Sequence, residues 1–262
     1  MLSLAQAVLL FAAAPDVANT RKGKMSNISG KAILLTGATS GIGRALALRL
    51  SSEGARLAVC GRSPEKMASL LDAITTAGGR PPLHATFDLA SEQEILAFIE
   101  RANADLGCLD ILINNAGVNI TKAPVSEIQT DHFDAMLAVN LRAPMIFMRE
   151  AFRLMSARGE GHVVNILSSA CLYSNETMGA YTAGKAGLDA LTRIFRKECQ
   201  PHGIRVTAIY PGGTNTPFRA KPRPDYMAAE SVAEAIVGLL NLPRDVVPHE
   251  FVFRPEVEVN YP

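Results

Sequence analysis

Short apolar runs alternate along this chain with longer amphipathic stretches. The runs at Ala32–Leu35, Leu57–Cys60, Leu83–Phe87, Ile111–Asn114, Val163–Leu167, Arg205–Tyr210 and Glu250–Phe253 predict strands. Segments at Ile42–Ser52, Ser91–Ala104, Asp131–Ala157, Ala180–Cys199 and Ala228–Leu240 predict helices. Pro64 opens one more, at a position where proline is tolerated, and Gly54 can end the first at its C′ position. Strands separated by helix-length segments imply right-handed crossovers, and hence a doubly wound α/β domain with a parallel sheet covered on both faces. Nothing repeats internally and no low-complexity linker divides the chain, so a single domain is expected.

Composition supports this without changing it. At 262 residues, 48% apolar and 19% charged, the chain is long enough for a substantial core and too apolar for disorder. A net charge of +1 points toward neither nucleic acid nor an anionic membrane. Cys60, Cys108, Cys171 and Cys199 are scattered and match neither a metal site nor a small disulfide scaffold, which reads as a reduced cytoplasmic compartment. The five histidines lack metal spacing, and neither a G-x-S-x-G elbow nor a Walker loop occurs.

Residues 1–24 stand apart. Ala5 to Ala14 is apolar but too short to span a bilayer, and Ala12-Ala13-Ala14 could pass for a signal cleavage site. The basic cluster Arg21, Lys22, Lys24 follows the run instead of preceding it. Residues 1–24 are therefore expected to be an extension outside the fold, with the domain proper over 25–262.

Two clusters carry candidate chemistry. In Thr36-Gly37-Ala38-Thr39-Ser40-Gly41-Ile42-Gly43, a strand gives way to a helix through three glycines. Such a turn lets backbone approach a pyrophosphate, and the helix N-terminus offers free N–H groups. The spacing is G-x-x-x-G-x-G, not the standard dinucleotide fingerprint, and a plain structural turn is the alternative. The second cluster is Tyr181-x-x-x-Lys185, with Ser168 thirteen residues earlier. Tyrosine and lysine four apart share a helix face, where an ammonium can favour ionisation of the phenol and suit it for proton exchange.

These motifs, with Asp88-Leu89, Asn114-Asn115-Ala116-Gly117, Asn140 and Pro211-Gly212-x-x-x-Thr216, occur in an order that resembles the short-chain dehydrogenase/reductase family in its single-domain form, from about Lys31 to Pro255. The resemblance implies a Rossmann-type fold of about seven strands with ligand sites at the carboxyl ends of the strands. It implies that Thr36, Gly37, Thr39, Ser40, Gly41, Ile42 and Gly43 cradle the dinucleotide, that Asp88 accepts from the adenine amino group beside Leu89, and that Asn114 to Gly117 pass the adenosine ribose. A carboxylate capping the next helix, and amides that merely hold the strand ends, are the structural alternatives. Pro211, Gly212, Thr214 and Thr216 would hold the nicotinamide carboxamide. The second strand ends Val59-Cys60-Gly61-Arg62-Ser63 with no acidic residue, and Arg62 lies 19 residues past Gly43, near the spacing at which arginine accommodates a 2′-phosphate. NADP is thus favoured over NAD, an exposed loop arginine being the alternative.

By the same resemblance, Asn140, Ser168, Tyr181 and Lys185 are catalytic. The two hydroxyls would bind a substrate carbonyl oxygen, Lys185 would bind the nicotinamide ribose and lower the phenol pKa, and Asn140 would hold a water. Ser169 competes with Ser168, and strand alternation allows only one of them to face the site. Cys171, Leu172, Tyr173, Met178, Val118 and Phe218 are candidate pocket residues, or ordinary packing. Arg219, Lys221 and Arg223, in a short lid, could attract an anion or simply be solvated. The expected activity is NADP(H)-dependent interconversion of a small carbonyl compound and its alcohol, in a homodimer or homotetramer. A non-catalytic nucleotide sensor and an isomerase or dehydratase on the same scaffold are the alternatives.

Overall fold

The structure, a computed structural model, describes residues 27–173 and 175–258; the extension expected over 1–24 lies outside the described residues. Seven parallel strands form the main sheet: β1 (Ala32–Thr36), β2 (Arg56–Gly61), β3 (Leu83–Thr86), β4 (Ile111–Asn114), β5 (Gly161–Ile166), β6 (Ile204–Pro211) and β9 (Glu250–Phe253), in the order β3-β2-β1-β4-β5-β6-β9. β7 (Thr214–Asn215) and β8 (Met227–Ala228) form a separate two-residue parallel pair. The strand order reverses between β1 and β4, which opens a crevice at the carboxyl ends of the strands.

Strand alternation sorts the core into two layers. Ile33 and Leu35 of β1 pack with α1 (Gly41–Ser52), α2 (Pro64–Thr76) and α7 (Ala229–Leu240), whereas Ala32 and Leu34 face α3 (Glu92–Leu106), α5 (Ala143–Ser156) and α6 (Gly179–Cys199). All five residues of β1 are buried, as befits a strand covered on both faces.

The expected single helix over Asp131–Ala157 is instead α4 (Thr130–Leu137), a π-helical turn at Ala138–Arg142, and α5. Pro144 supplies the physical reason. It has no N–H to donate to the Asn140 carbonyl, so the helix widens to bridge the gap. The widening also sets the Asn140 side chain inward, fully buried. The other strands and helices match their predicted segments to within a few residues.

Candidate active site

The loop from β1 to α1 is shaped by what its glycines lack. Gly37 has φ +67°, and a Cβ there would lie 2.8 Å from the Ala116 Cα. A Cβ on Gly43 would lie 2.1 Å from the Gly37 carbonyl oxygen and 2.5 Å from the Asn115 amide nitrogen. These two glycines let three backbone segments meet. The strand end is then fastened by side chains: Thr36 Oγ1 accepts from the Asn115 and Ala116 N–H groups (3.1 and 3.0 Å), and Asn115 Nδ2 donates to the Thr36 and Gly37 carbonyls (3.0 and 3.2 Å). The amides do hold the strand ends together. What results is one wall of a cleft of about 400 Å³ running along the carboxyl edge of the sheet.

Most of the expected binding residues line this cleft, Gly37, Thr39, Ser40, Gly41, Ile42 and Gly43 among them, and Arg62, Ser63, Asp88 and Leu89 follow the ends of β2 and β3. Asn115, Ala116, Gly117, Pro211, Gly212, Thr214 and Thr216 complete it. Three expected residues do not reach it. Thr36 is taken up by the backbone of Asn115 and Ala116. Asn114 points into the core, donating to Asn165 Oδ1 at 2.8 Å, while Asn165 in turn donates to Thr192 Oγ1 at 2.8 Å. Asn140 accepts from the Val118 N–H (2.9 Å) and donates to the Val118 carbonyl (2.8 Å). Its amide clamps the segment after β4.

At the end of β2, Ser63 caps α2 by accepting from the Lys66 N–H at 3.2 Å. Arg62 is exposed on the cleft wall and forms no ion pair among the described residues. Lys66, one turn into α2, adds a second cation there. Asp88 Oδ1 accepts from the Ala90 N–H at 2.9 Å, while the cap of α3 is Ser91.

At the opposite end, α6 carries Tyr181 and Lys185, both buried, at 7% and 3% exposure. Lys185 Nζ donates to the Ile166 carbonyl at 2.8 Å, and a Cβ on Gly117 would lie 3.4 Å from it. Ser168 has extended backbone (φ −163°), accepts from the Ala170 N–H at 3.1 Å, and its hydroxyl is near enough to the Tyr181 phenol to lower its pKa. Ser168 lines the cleft; Ser169 enters the 3₁₀ turn behind it. Burial pushes the Tyr181 phenol up to about 12, against lowering contributions from Ser168 and the Arg219 charge. Burial also pulls the Lys185 ammonium down to about 8. The expectation that the ammonium would depress the phenol is thus not met by these side chains, because desolvation dominates both groups.

Val118, Met178 and Phe218 line the cleft beside Tyr181, with the Phe218 ring centre 5.7 Å from that of Tyr181. Cys171, Leu172 and Tyr173 do not: Cys171 packs on the core and Tyr173 lies under Arg254 at 4.3 Å. Lys66, Asn119, Lys122 and Arg219 also line it. Lys66 was findable from its place one turn past Ser63, whereas Asn119 and Lys122 carry no spacing signal.

The residues fit a dinucleotide. Cβ-free backbone forms a cradle at a helix N-terminus, the cations Arg62 and Lys66 line the cleft past the end of β2, and the Ser168 and Tyr181 side chains sit at the far end. Among the described residues no helix is long and apolar enough to cross a membrane, and no cluster of metal-ligating side chains occurs.

Comparison with known proteins agrees. A family model described as short chain dehydrogenase matches residues 31–227. An uncharacterized oxidoreductase of Staphylococcus aureus (strain USA300) is 30% identical over 234 residues, covering 88% of this chain and all of that protein. A metagenomic short-chain oxidoreductase solved in complex with NADP is 32% identical, with a TM-score of 0.78 and coverage of 88% of this chain and 99% of that one. Serine dehydrogenase from Escherichia coli is 25% identical, with a TM-score of 0.78 over 87% and 99% of the two chains.

Proposed function

The chain belongs to the short-chain dehydrogenase/reductase family, and from that premise we propose that it is an NADP(H)-dependent oxidoreductase interconverting a small carbonyl compound and its alcohol. The observation that carries the reading is the meeting of the Ser168 and Tyr181 hydroxyls on the wall of a glycine-shaped cleft, one helical turn from Lys185.

When bound, the nicotinamide ring supplies or accepts the hydride. The chain's own groups handle the proton. Tyr181 keeps its proton at neutral pH because burial favours the neutral phenol, so it stands ready to protonate a carbonyl oxygen as that oxygen gains charge. Ser168 donates a second hydrogen bond to the same oxygen, and its fixed backbone costs no reorganisation. Lys185, held by the Ile166 carbonyl, places a buried positive charge on the face where phenolate develops. Gly117 leaves room beside that amine for the ribose it is proposed to bind. Thr214 and Thr216, with Pro211 and Gly212, form the side of the cleft proposed to meet the carboxamide.

NADP is favoured over NAD by Arg62 and Lys66, which stand together on the cleft wall where a carboxylate would select the unphosphorylated ribose. That the metagenomic relative was solved with NADP agrees with this. The test is a panel of aldehydes, ketones and hydroxy acids assayed with both cofactors, alongside direct NADPH titration. Turnover with NADPH supports the reading. Tight NADPH binding with no turnover across the panel would turn it toward a nucleotide sensor.

A further inference from the structure

The segment between β7 and β8 carries three basic residues, and the structure separates one from the other two. Arg223 forms a two-point ion pair with Asp225, at 3.0 and 2.7 Å. Lys221 is exposed and outside the cleft. Arg219 is half-buried on the cleft wall. Its Nε donates to the Thr214 carbonyl at 3.0 Å, and its guanidinium carbon lies 4.4 Å from the centre of the Tyr226 ring. Among the described residues no carboxylate lies within ion-pair distance of it.

Position gives this cation a meaning. Phe218, its neighbour in sequence, brings its ring to 5.7 Å from Tyr181. The Arg219 charge also reaches the phenolic oxygen, since it is one of the groups holding the buried phenol down. The charge on the wall is one-sided: Arg62, Lys66, Lys122, Lys185 and Arg219 are cations, and Asp88 is the single carboxylate in the described lining. Lys185 is engaged with Ile166, and Arg62 and Lys66 flank the end of β2, away from the phenol.

We infer that Arg219 binds a substrate carboxylate through the terminal guanidinium nitrogens, so that the substrates are oxo acids and the matching hydroxy acids. The inference rests on the oxidoreductase reading above and narrows its substrate class. With Nε fixed to Thr214 and the guanidinium carbon over the Tyr226 ring, the guanidinium meets an incoming anion with little further loss of side-chain freedom. The end-on fork of its two terminal nitrogens matches the two oxygens of a carboxylate. A carboxylate held there leaves a nearby carbonyl to meet Tyr181 and Ser168.

The test compares an oxo acid with its own methyl ester, 3-oxobutanoate against methyl 3-oxobutanoate, in wild type, Arg219→Gln and Arg219→Lys. In wild type the acid has the higher kcat/KM, and its KM rises with salt while that of the ester does not. Arg219→Gln should reduce the acid-to-ester ratio roughly 10- to 100-fold, the span of a charge-assisted hydrogen bond, with Arg219→Lys restoring part of it. Ligand-observed NMR of the two alcohol products, 3-hydroxybutanoate and its methyl ester, reads the same contact without turnover. If NADPH affinity falls as much as the acid's KM rises, Arg219 serves the dinucleotide phosphates and the proposal fails. It fails too if acid and ester lose equally. Arg219-dependent binding of the acid without any turnover would uphold the carboxylate site and overturn the oxidoreductase reading instead.

Discussion

The two ends of the cleft are built by different means. At the β1–α1 end the shape comes from backbone and from missing side chains: Gly37 and Gly43 permit approaches that any Cβ would block, and Thr36 and Asn115 fasten the strand ends behind them. At the α6 end the shape comes from ionisable and hydroxyl side chains taken out of water, Tyr181 and Lys185 above all, with pKa values moved by that burial. The first end is suited to holding a large, constant ligand, the second to chemistry on a small one. A change at the first should therefore act through folding and affinity, and a change at the second through rate.

Tyr181→Phe offers the sharpest separation. It removes the one proton donor and should lower kcat roughly 10²- to 10⁴-fold, the usual weight of a positioned general acid. NADPH affinity measured by fluorescence titration should barely change; a comparable loss of affinity would mean that the two ends are not separable. Gly43→Ala is the mirror experiment. Its new Cβ would lie 2.1 Å from a backbone oxygen that has no rotamer to yield. Thermal unfolding should then show a loss of about 1–3 kcal/mol, together with loss of NADPH binding. A Gly43→Ala variant that binds NADPH normally would break the comparison.

The same contrast explains what was legible in the sequence. The glycine spacing and the Tyr-x-x-x-Lys pair are local patterns, set by one loop and one helix turn, and the structure places both on the cleft. The seven strands were readable because buried parallel strands are continuous apolar runs. What escaped was long-range. Asn114 lies in a motif with cleft residues on its C-terminal side, yet strand alternation turns it toward Asn165, 51 residues away. Asn140 reads as a polar residue in a helix; its fixing of the Val118 backbone depends on the widening at Pro144. The β7–β8 pair has two residues per strand and so no period to detect. Among the lid cations, sequence could not single out Arg219, because its distinction from Arg223 is the nearness of Asp225 to the latter.

Arg62 and Lys66 are the exception at the β1–α1 end, exposed charged side chains beside a wall shaped by backbone. Arg62→Gln should weaken NADPH binding about 10- to 100-fold, the cost of one charge-assisted contact, and leave NADH binding nearly as it was. Equal losses for both cofactors would mean that the guanidinium does not read the 2′-phosphate.

The last contrast is one of pH. Burial disfavours the ammonium of Lys185 and brings its pKa from 10.5 to about 8, so the charge is present below that value and lost above it. Burial disfavours the phenolate of Tyr181 and raises its pKa from 10.0 to about 12, so the phenol keeps its proton across the whole working range. Reduction needs both the neutral phenol and the charged amine. Its kcat/KM should therefore be flat well below pH 8 and fall as pH rises through that point, to about a tenth of its plateau one unit beyond it. The inflection belongs to Lys185 and not to Tyr181. Oxidation needs the phenolate beside the charged amine, so it should rise with pH below 8 and level off above it. The shape of the glycine end is set by backbone and should not change over this interval. A reduction profile still flat at about pH 10 would show that the lysine charge is not required, and would reduce the α6 end to its two hydroxyls.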